Sequence, residues 1–377
     1  MKSINRNLGA ILEKWFFKGK VLVITGARQV GKTTLLQDIT KRYKEKIWLN
    51  ADLEADRVKL EKGNLRSLKN LLGNNKLIII DEVQRVKNAG LILKILADNF
   101  KNVQVLATGS SALGISDSIF EPLTGRHLLF HLYPFALAEL YKGQTSHQVE
   151  QELPFHLIYG NYPDICNNRI DAEVLIRNLT NQYLYKDVLT WKDIRKPDIL
   201  ESLLKLLAYQ IGSEVSIHEL ANRLNIKSET VLNYIDLLEK SFVVFRLIAY
   251  STNLRKEVNK MSKIYFFDNG VRNTLINNFD PLDLRNDVGA LWENFMVSER
   301  QKHLTWQTKL IKPYFWRNFN QSEVDYLEAV NKKLFAYEMK WNPKSNAKVS
   351  RAFTNAYPEA ATDIISPDNF YEFCGLE

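Results

Sequence analysis

The chain has 377 residues, 45% of them hydrophobic and 25% charged, with a formal net charge of +8, the composition of a globular protein with more than one core. No run of about 18 apolar residues occurs, and Met1-Lys-Ser-Ile-Asn-Arg-Asn is not followed by an apolar leader, so a cytoplasmic protein without membrane contact is expected. Cys166 and Cys374 form no CxxC pair, which excludes a disulfide framework or a thiolate zinc site; the positive charge permits a nucleic-acid partner without requiring one.

In chain order, Leu8, Ile11, Leu12, Trp15 and Phe16 recur at helical spacing and predict an amphipathic helix before Gly19. Strands are predicted at Val21–Thr25, Ile47–Asn50, Leu77–Asp81, Val103–Thr108 and His127–Leu132, with helical segments between them. Alternation of this kind implies an α/β fold with a parallel sheet and helices on both faces. His127 and His131 read as ordinary strand residues, because no third metal ligand is near in sequence.

The first strand runs into Gly26-Ala27-Arg28-Gln29-Val30-Gly31-Lys32-Thr33, the spacing G-x-x-x-x-G-K-[ST], and a helix is expected from Thr34. Gly26 and Gly31 allow a turn whose backbone amides cradle an anion, and the helix points its positive end at it. Lys32 would reach the β- and γ-phosphates and Thr33 would offer its hydroxyl to Mg²⁺, so ATP with Mg²⁺ is the expected ligand; Arg28 is the weaker candidate, since x positions face solvent. The third predicted strand ends in Asp81-Glu82. At the carboxyl edge of an open α/β sheet, Asp81 can hold Mg²⁺ and Glu82 can polarise water, or both can simply cap the next helix. The fourth strand delivers Thr108 and Ser110 to the same edge, as phosphate sensors or as a Gly-Ser turn. Arg126 is either a phosphate-sensing arginine, in its own or a neighbouring subunit of a homo-oligomer, or a solvated charge.

Gly26 to Thr33, Leu77 to Glu82, Thr108-Gly-Ser-Ser, Thr124-Gly-Arg126 and Leu132-Tyr-Pro-Phe135 are followed by Gly160-Asn-Tyr-Pro-Asp164, Tyr185-Lys-Asp187, Lys263-Ile-Tyr-Phe-Phe-Asp-Asn-Gly270 and Leu291-Trp-Glu-Asn-Phe295. In that order they resemble the prokaryotic AAA-type (P-loop) ATPases that carry a C-terminal half of uncertain function. The resemblance implies an ATPase domain over 1–140, a helical linker over 141–210, a winged helix over 211–270 and a small restriction-endonuclease-like α/β domain over 271–377.

Residues 141–210 read as mostly helical, broken at Pro163 and Pro197, with Tyr183, Leu184, Tyr185 and Trp191 as core. Ser216-Ile-His-Glu219 is a capping box opening one short helix; Val231, Tyr234, Ile235 and Leu238 mark a second, and strands follow at Phe242–Ala249 and Ile264–Phe267. This is the pattern of a winged helix-turn-helix. Its second helix exposes Glu229, Asn233, Asp236 and Glu239, which repel phosphates, whereas Arg255, Lys256, Lys260 and Lys263 fall in the wing. Contact with DNA and a protein-interaction role both remain open.

A helix over Asp287–His303 carries Glu293, and Asp325 on one strand with Glu338-Met-Lys340 on the next is a D…ExK arrangement. With Lys332-Lys333 as the hairpin loop, Asp325 falls opposite Lys340, Glu338 shares that face, and Phe335, Tyr337, Met339 and Trp341 turn to the core. Glu293, Asp325, Glu338 and Lys340 would form a second metal site acting on a phosphodiester, or the hairpin carries solvated charges. Three functions fit: an AAA-type ATPase coupled to DNA or a protein partner, a nucleotide-controlled binding protein with little turnover, and an ATP-gated nuclease.

Overall fold

The computed structural model describes residues 4–110, 120–183, 196–251, 262–307, 311–342 and 348–376. Ser111, Leu184, Tyr185, Asp187, Trp191, Arg255, Lys256 and Lys260 lie outside them, so most of the core reading at Tyr183–Trp191 and most of the wing reading concern residues that are not described. The chain divides into two compact units, Lys2–Tyr133 with Lys240–Phe242, and Pro134–Glu239 with Val243–Glu377.

In the first unit, β1 (Val21–Thr25), β2 (Lys46–Asn50), β3 (Leu77–Asp81), β4 (Gln104–Gly109) and β5 (His127–His131) form one sheet in the order β2-β3-β4-β1-β5. Every pair is parallel. The apolar runs of β1 and β3 are buried throughout, as strands covered on both faces require, and edge strand β5 is less covered. Helices α1 (Asn7–Lys14), α2 (Lys32–Thr40), α3 (Glu54–Glu61), α4 (Leu65–Leu72) and α5 (Ala89–Asn99) flank the sheet. Leu60, Leu68, Leu93 and Leu96 of these helices share a core with Val21, Val23, Ile78 and Ile80. The first helix stops at Lys14, short of the predicted end: Trp15 is half-exposed and Phe17 adopts φ 59°.

The second unit contains a three-stranded antiparallel sheet, order β6-β8-β7, from β6 (Glu214–Val215), β7 (Val244–Ile248) and β8 (Ser262–Phe266). A four-stranded sheet, order β12-β11-β10-β9, is built from β9 (Lys312–Arg317), β10 (Glu323–Val330), β11 (Lys333–Met339) and β12 (Ala361–Ile365). A bridge between Ala249 and Phe315 joins them. The helices are α6 (Leu137–Leu140), α7 (Ser146–Tyr159), α8 (Pro163–Asn167), α9 (Ala172–Tyr183), α10 (Pro197–Tyr209), α11 (Ile217–Leu224), α12 (Ser228–Lys240), α13 (Asn269–Leu275), α14 (Val288–Leu304), α15 (Arg351–Ala356) and α16 (Phe370–Phe373). Pro163 and Pro197 open helices, where the missing N–H costs nothing.

The late motifs knit this unit together. Asp268 accepts the Asn161 amide at 2.7 Å and caps α13 through Val271, and a Cβ on Gly160 would meet Asp268 Oδ1 at 2.0 Å. A Cβ on Gly270 would meet the Tyr159 carbonyl at 2.1 Å, which holds α13 against α7. Asn294 accepts from Phe266 N and donates to Asn269, while Asn273 donates to the Leu157 and Ile158 carbonyls. Buried polar groups are tolerated when bonded in this way, and these residues act as scaffold. No helix among the described residues is long and apolar enough to cross a membrane.

Candidate functional site: the phosphate loop and a buried ion cluster

The loop leaves β1 at Gly26, where a Cβ would come 2.1 Å from the Leu132 carbonyl, so the backbone contact admits only glycine. Gly31 has φ +93°, and α2 begins directly after it at Lys32, two residues before the predicted start. Lys32 is buried, its Nζ donating to the carbonyls of Gly26 at 2.9 Å and Ala27 at 2.8 Å. Arg28 is half-buried, Gln29 and Thr34 are exposed, and Val30 is buried.

Asp81, at the end of β3, is buried and gripped from two sides. Thr33 Oγ1 donates to Oδ2 at 2.8 Å, and Thr108 Oγ1 donates to Oδ1. Thr108 Oγ1 also accepts the Glu82 amide at 3.1 Å. Glu82 leaves the strand with φ 56° and makes no side-chain cap on the short 3₁₀ turn Val83–Arg85, so neither acid serves as a helix cap. Gln84 Nε2 donates to Glu82 Oε2 at 2.5 Å and to Ser110 Oγ at 3.1 Å. Thus Lys32, Thr33, Asp81, Glu82, Thr108 and Ser110 converge at the carboxyl edge of the sheet.

Two participants escaped the sequence reading. Gln84 carries no motif signal beyond standing two residues after Glu82. Arg6, from before α1, donates from Nη1 to the Val30 carbonyl at 2.8 Å and from Nη2 to the Tyr133 carbonyl at 2.6 Å. A trans peptide points its C=O and the following N–H in opposite directions, so this bond also directs the Gly31 N–H away from the guanidinium. Nothing in a lone early arginine announces that role.

Arg126 lies at the opposite edge of the sheet. It precedes β5 at the amino edge of the sheet, its carbonyl accepting the Val21 amide at 2.9 Å and its Nε pairing with Asp98 at 2.7 Å. Five residues of strand, roughly 16 Å at 3.3 Å per residue, separate that edge from the loop, so Arg126 does not reach the phosphates of its own domain. Of the paired histidines, His131 Nδ1 contacts Thr25 Oγ1 at 2.8 Å and His127 stacks on Phe120.

In the second unit, Glu293 of α14, Asp325 of β10, Glu338 of β11 and Lys340 converge as expected, with a changed register. The hairpin turns at Asn331-Lys332, with φ 49° and 68°, the left-handed pair of a type I′ turn that asparagine enters readily. Val330 therefore pairs with Lys333 and Tyr326 with Tyr337, which sets Asp325 opposite Glu338 instead of Lys340. Because side chains alternate, Lys340 keeps the same face, 3.0 Å from Glu338 and 3.5 Å from Asp325. Asp325 and Glu338 are buried, so these charges are not solvated.

Lys263, assigned from sequence to the wing, is wholly buried on β8, because its strand lies under α14 and β10. Its Nζ lies 2.9 Å from Glu293, 2.5 Å from Glu323 and 3.7 Å from Asp325. Tyr265 OH donates to Glu293 at 2.7 Å, and Arg317 joins Glu214 to Glu323. Burial alone would lower Lys263, yet Glu293, Asp325 and Glu323 outweigh it and raise its pKa. Burial lifts Glu293 to about 7, and burial followed by Asp325 lifts Glu338. The compensating cation is an ammonium of the chain itself. Among the described residues no group of three or more His, Cys, Asp or Glu is arranged to hold a metal ion, and a metal at Glu293, Asp325, Glu338 and Lys340 would have to share the site with Lys263.

A parallel sheet whose first strand enters G-x-x-x-x-G-K-T, and whose third ends in an aspartate bonded to the loop threonine, defines a P-loop ATPase domain. Comparison with known proteins agrees: the family profile described as "AAA domain" matches residues 18–141, so this segment is an AAA-type P-loop ATPase domain. Two further profiles, "Domain of unknown function (DUF8612)" and "Domain of unknown function (DUF4143)", match residues 150–282 and 288–370. An uncharacterized protein of Mycobacterium tuberculosis is 27% identical over 361 residues, covering 93% of this chain and 76% of its own length. One of Methanocaldococcus jannaschii is 27% identical over 353 residues, covering 79% and 74%. Among solved structures, a Walker-type ATPase of Pyrococcus abyssi is similar over 73% of this chain and 96% of its own, at 17% identity and a TM-score of 0.49.

Proposed function

We propose that the chain binds ATP with Mg²⁺ on residues 26–34, hydrolyses it with Glu82 acting on the attacking water, and uses that cycle to act on DNA or a protein partner. The observation that carries this reading is the Thr33–Asp81 hydrogen bond of 2.8 Å, which brings the loop hydroxyl and the strand-end carboxylate to one point. Both donors are hard oxygens, the set Mg²⁺ prefers, so Thr33 and Asp81 fit as its holders. When bound there, the ion would draw off charge from the β- and γ-phosphates. Lys32, buried at the mouth of the loop, supplies the protein's own positive charge, and the amides of Gly26 to Thr34 orient the phosphates. Thr108 orients Asp81 and the Glu82 backbone together.

For the remainder we propose a helical linker over 141–210, a winged helix over 211–270 and a restriction-endonuclease-like fold over 271–377. Helices α11 and α12 with β6, β7 and β8 support the middle assignment. On α12, Asp236 and Glu239 both pair with Arg246, leaving Glu229 and Asn233 exposed. With Lys263 buried, a phosphate contact made by the wing would rest on Arg255, Lys256 and Lys260.

The test is phosphate release by the full chain with ATP and Mg²⁺, with and without duplex DNA. Turnover that Lys32→Ala abolishes supports the reading, and stimulation by DNA identifies the partner class. Absence of turnover in the wild type would leave a nucleotide-controlled binding protein.

A further inference from the structure

We propose that Gln84 is a positioning residue that ties the carboxylate of Glu82 to Ser110 at the end of β4. The inference rests on the ATPase reading above and extends it by one residue that no motif names. The two N–H bonds of the Gln84 amide are both spent, one on Glu82 Oε2 at 2.5 Å and one on Ser110 Oγ at 3.1 Å. The reverse orientation of the amide would set its oxygen against the carboxylate, two acceptors face to face, so the chemistry fixes which end points where. With Oε2 bonded to an amide N–H, Glu82 has its other oxygen left for a water molecule, at an orientation set by β4.

A second observation points the same way. Gln84 Oε1 is buried and has no hydrogen-bond partner among the described residues. A buried acceptor left unmatched is unfavourable, and a donor at that place would relieve it. A water molecule held by Glu82 through one proton could give its second to Gln84 once Oε1, which is closed to water in this structure, is opened to the site. Gln84 would then fix both the acceptor that polarises the water and the direction of its remaining hydrogen, which is the requirement for in-line attack.

The experiment uses the full chain and its Gln84→Ala, Ser110→Ala and double variants, with Glu82→Gln as reference, and measures kcat, KM and ATP affinity by calorimetry. Loss of one orienting hydrogen bond should lower kcat roughly tenfold in Gln84→Ala. ATP affinity should remain within about twofold of wild type, because the loop amides and Lys32 are untouched. Ser110→Ala should give a smaller loss, and the double variant should be no slower than Gln84→Ala, since both act through one bridge. Turnover of Gln84→Ala within about twofold of wild type, or additive losses in the double variant, would overturn the proposal. So would a loss confined to ATP affinity, which would mark a merely structural role. If the wild type fails to hydrolyse ATP, the function reading falls and this proposal with it; if wild type and Glu82→Gln behave as stated and Gln84→Ala is silent, only this one falls.

Discussion

Thr33 Oγ1 donates to Asp81 Oδ2 at 2.8 Å, across 48 residues of chain, and Thr108 Oγ1 holds the other oxygen of that carboxylate. Three elements, α2, β3 and β4, thereby fix one acid. A carboxylate oriented by the protein's own hydroxyls is preorganised and need not be arranged at the moment of reaction.

Lys32→Ala should weaken ATP binding by at least about tenfold, because a charge-assisted contact to phosphate is lost while the loop backbone stays. Glu82→Gln should bind ATP as wild type does and lose roughly 10²-fold or more in turnover. Titration calorimetry and phosphate release check both, and unchanged affinity in Lys32→Ala would contradict the loop assignment.

Arg6→Ala tests the clamp on the loop. Its two hydrogen bonds reach the carbonyls of Val30 and Tyr133, and bonds from a charged donor contribute about 1.5–3 kcal/mol each. We expect a lower melting temperature and ATP affinity reduced about tenfold, with Arg6→Lys recovering part, since an ammonium can keep one of the two bonds. An Arg6→Ala protein that binds ATP like wild type would show that the loop holds its shape unaided.

Lys263→Met removes the cation buried among Glu293, Glu323 and Asp325. Breaking a buried pair from one side costs about 3–5 kcal/mol, so denaturant unfolding should shift strongly. Lys263→Met with Glu293→Gln should recover part, because one uncompensated acid is neutralised. Without nucleotide, Mn²⁺ should raise the melting temperature of the wild type no more than that of Asp325→Ala; a larger gain in the wild type would support a metal at this site.

His156 is fully buried between Tyr141 OH and Asn161 Oδ1, and burial, the largest cause, lowers its pKa to about 4. The unfolded imidazole titrates near 6.5, so between about 4 and 6.5 the unfolded chain takes up a proton that the folded one refuses. Stability therefore falls as pH drops through that window, by on the order of 3 kcal/mol at most. Glu293, raised to about 7, works in the opposite direction over the same range, favouring the folded state as pH falls. The difference between wild type and His156→Gln is thus the quantity to measure, by urea unfolding at pH 7 and pH 5. Equal losses in the two proteins would exclude His156 as the source.

The first unit was readable because its signals are local. A short, β-branched buried run such as Leu77 to Ile80 fits a strand covered on both sides, Gly26 stands where a Cβ cannot, and Gly31 holds a left-handed φ that favours glycine. Alternation along β10 and β11, joined by a turn of even length, likewise puts Asp325, Glu338 and Lys340 on one face. What depended on packing was the partner each charge would meet. Lys263 reads as a wing cation until β8 is seen beneath α14, where three acids raise its pKa. Arg126 stands in a motif, yet a parallel strand carries it to the edge away from the loop, whereas Arg6 stands in none and grips the loop through Val30. Sequence spacing sets which residues share a strand face or a turn. It does not set which distant carbonyl or carboxylate lies within hydrogen-bond reach, because that depends on how separate elements pack together.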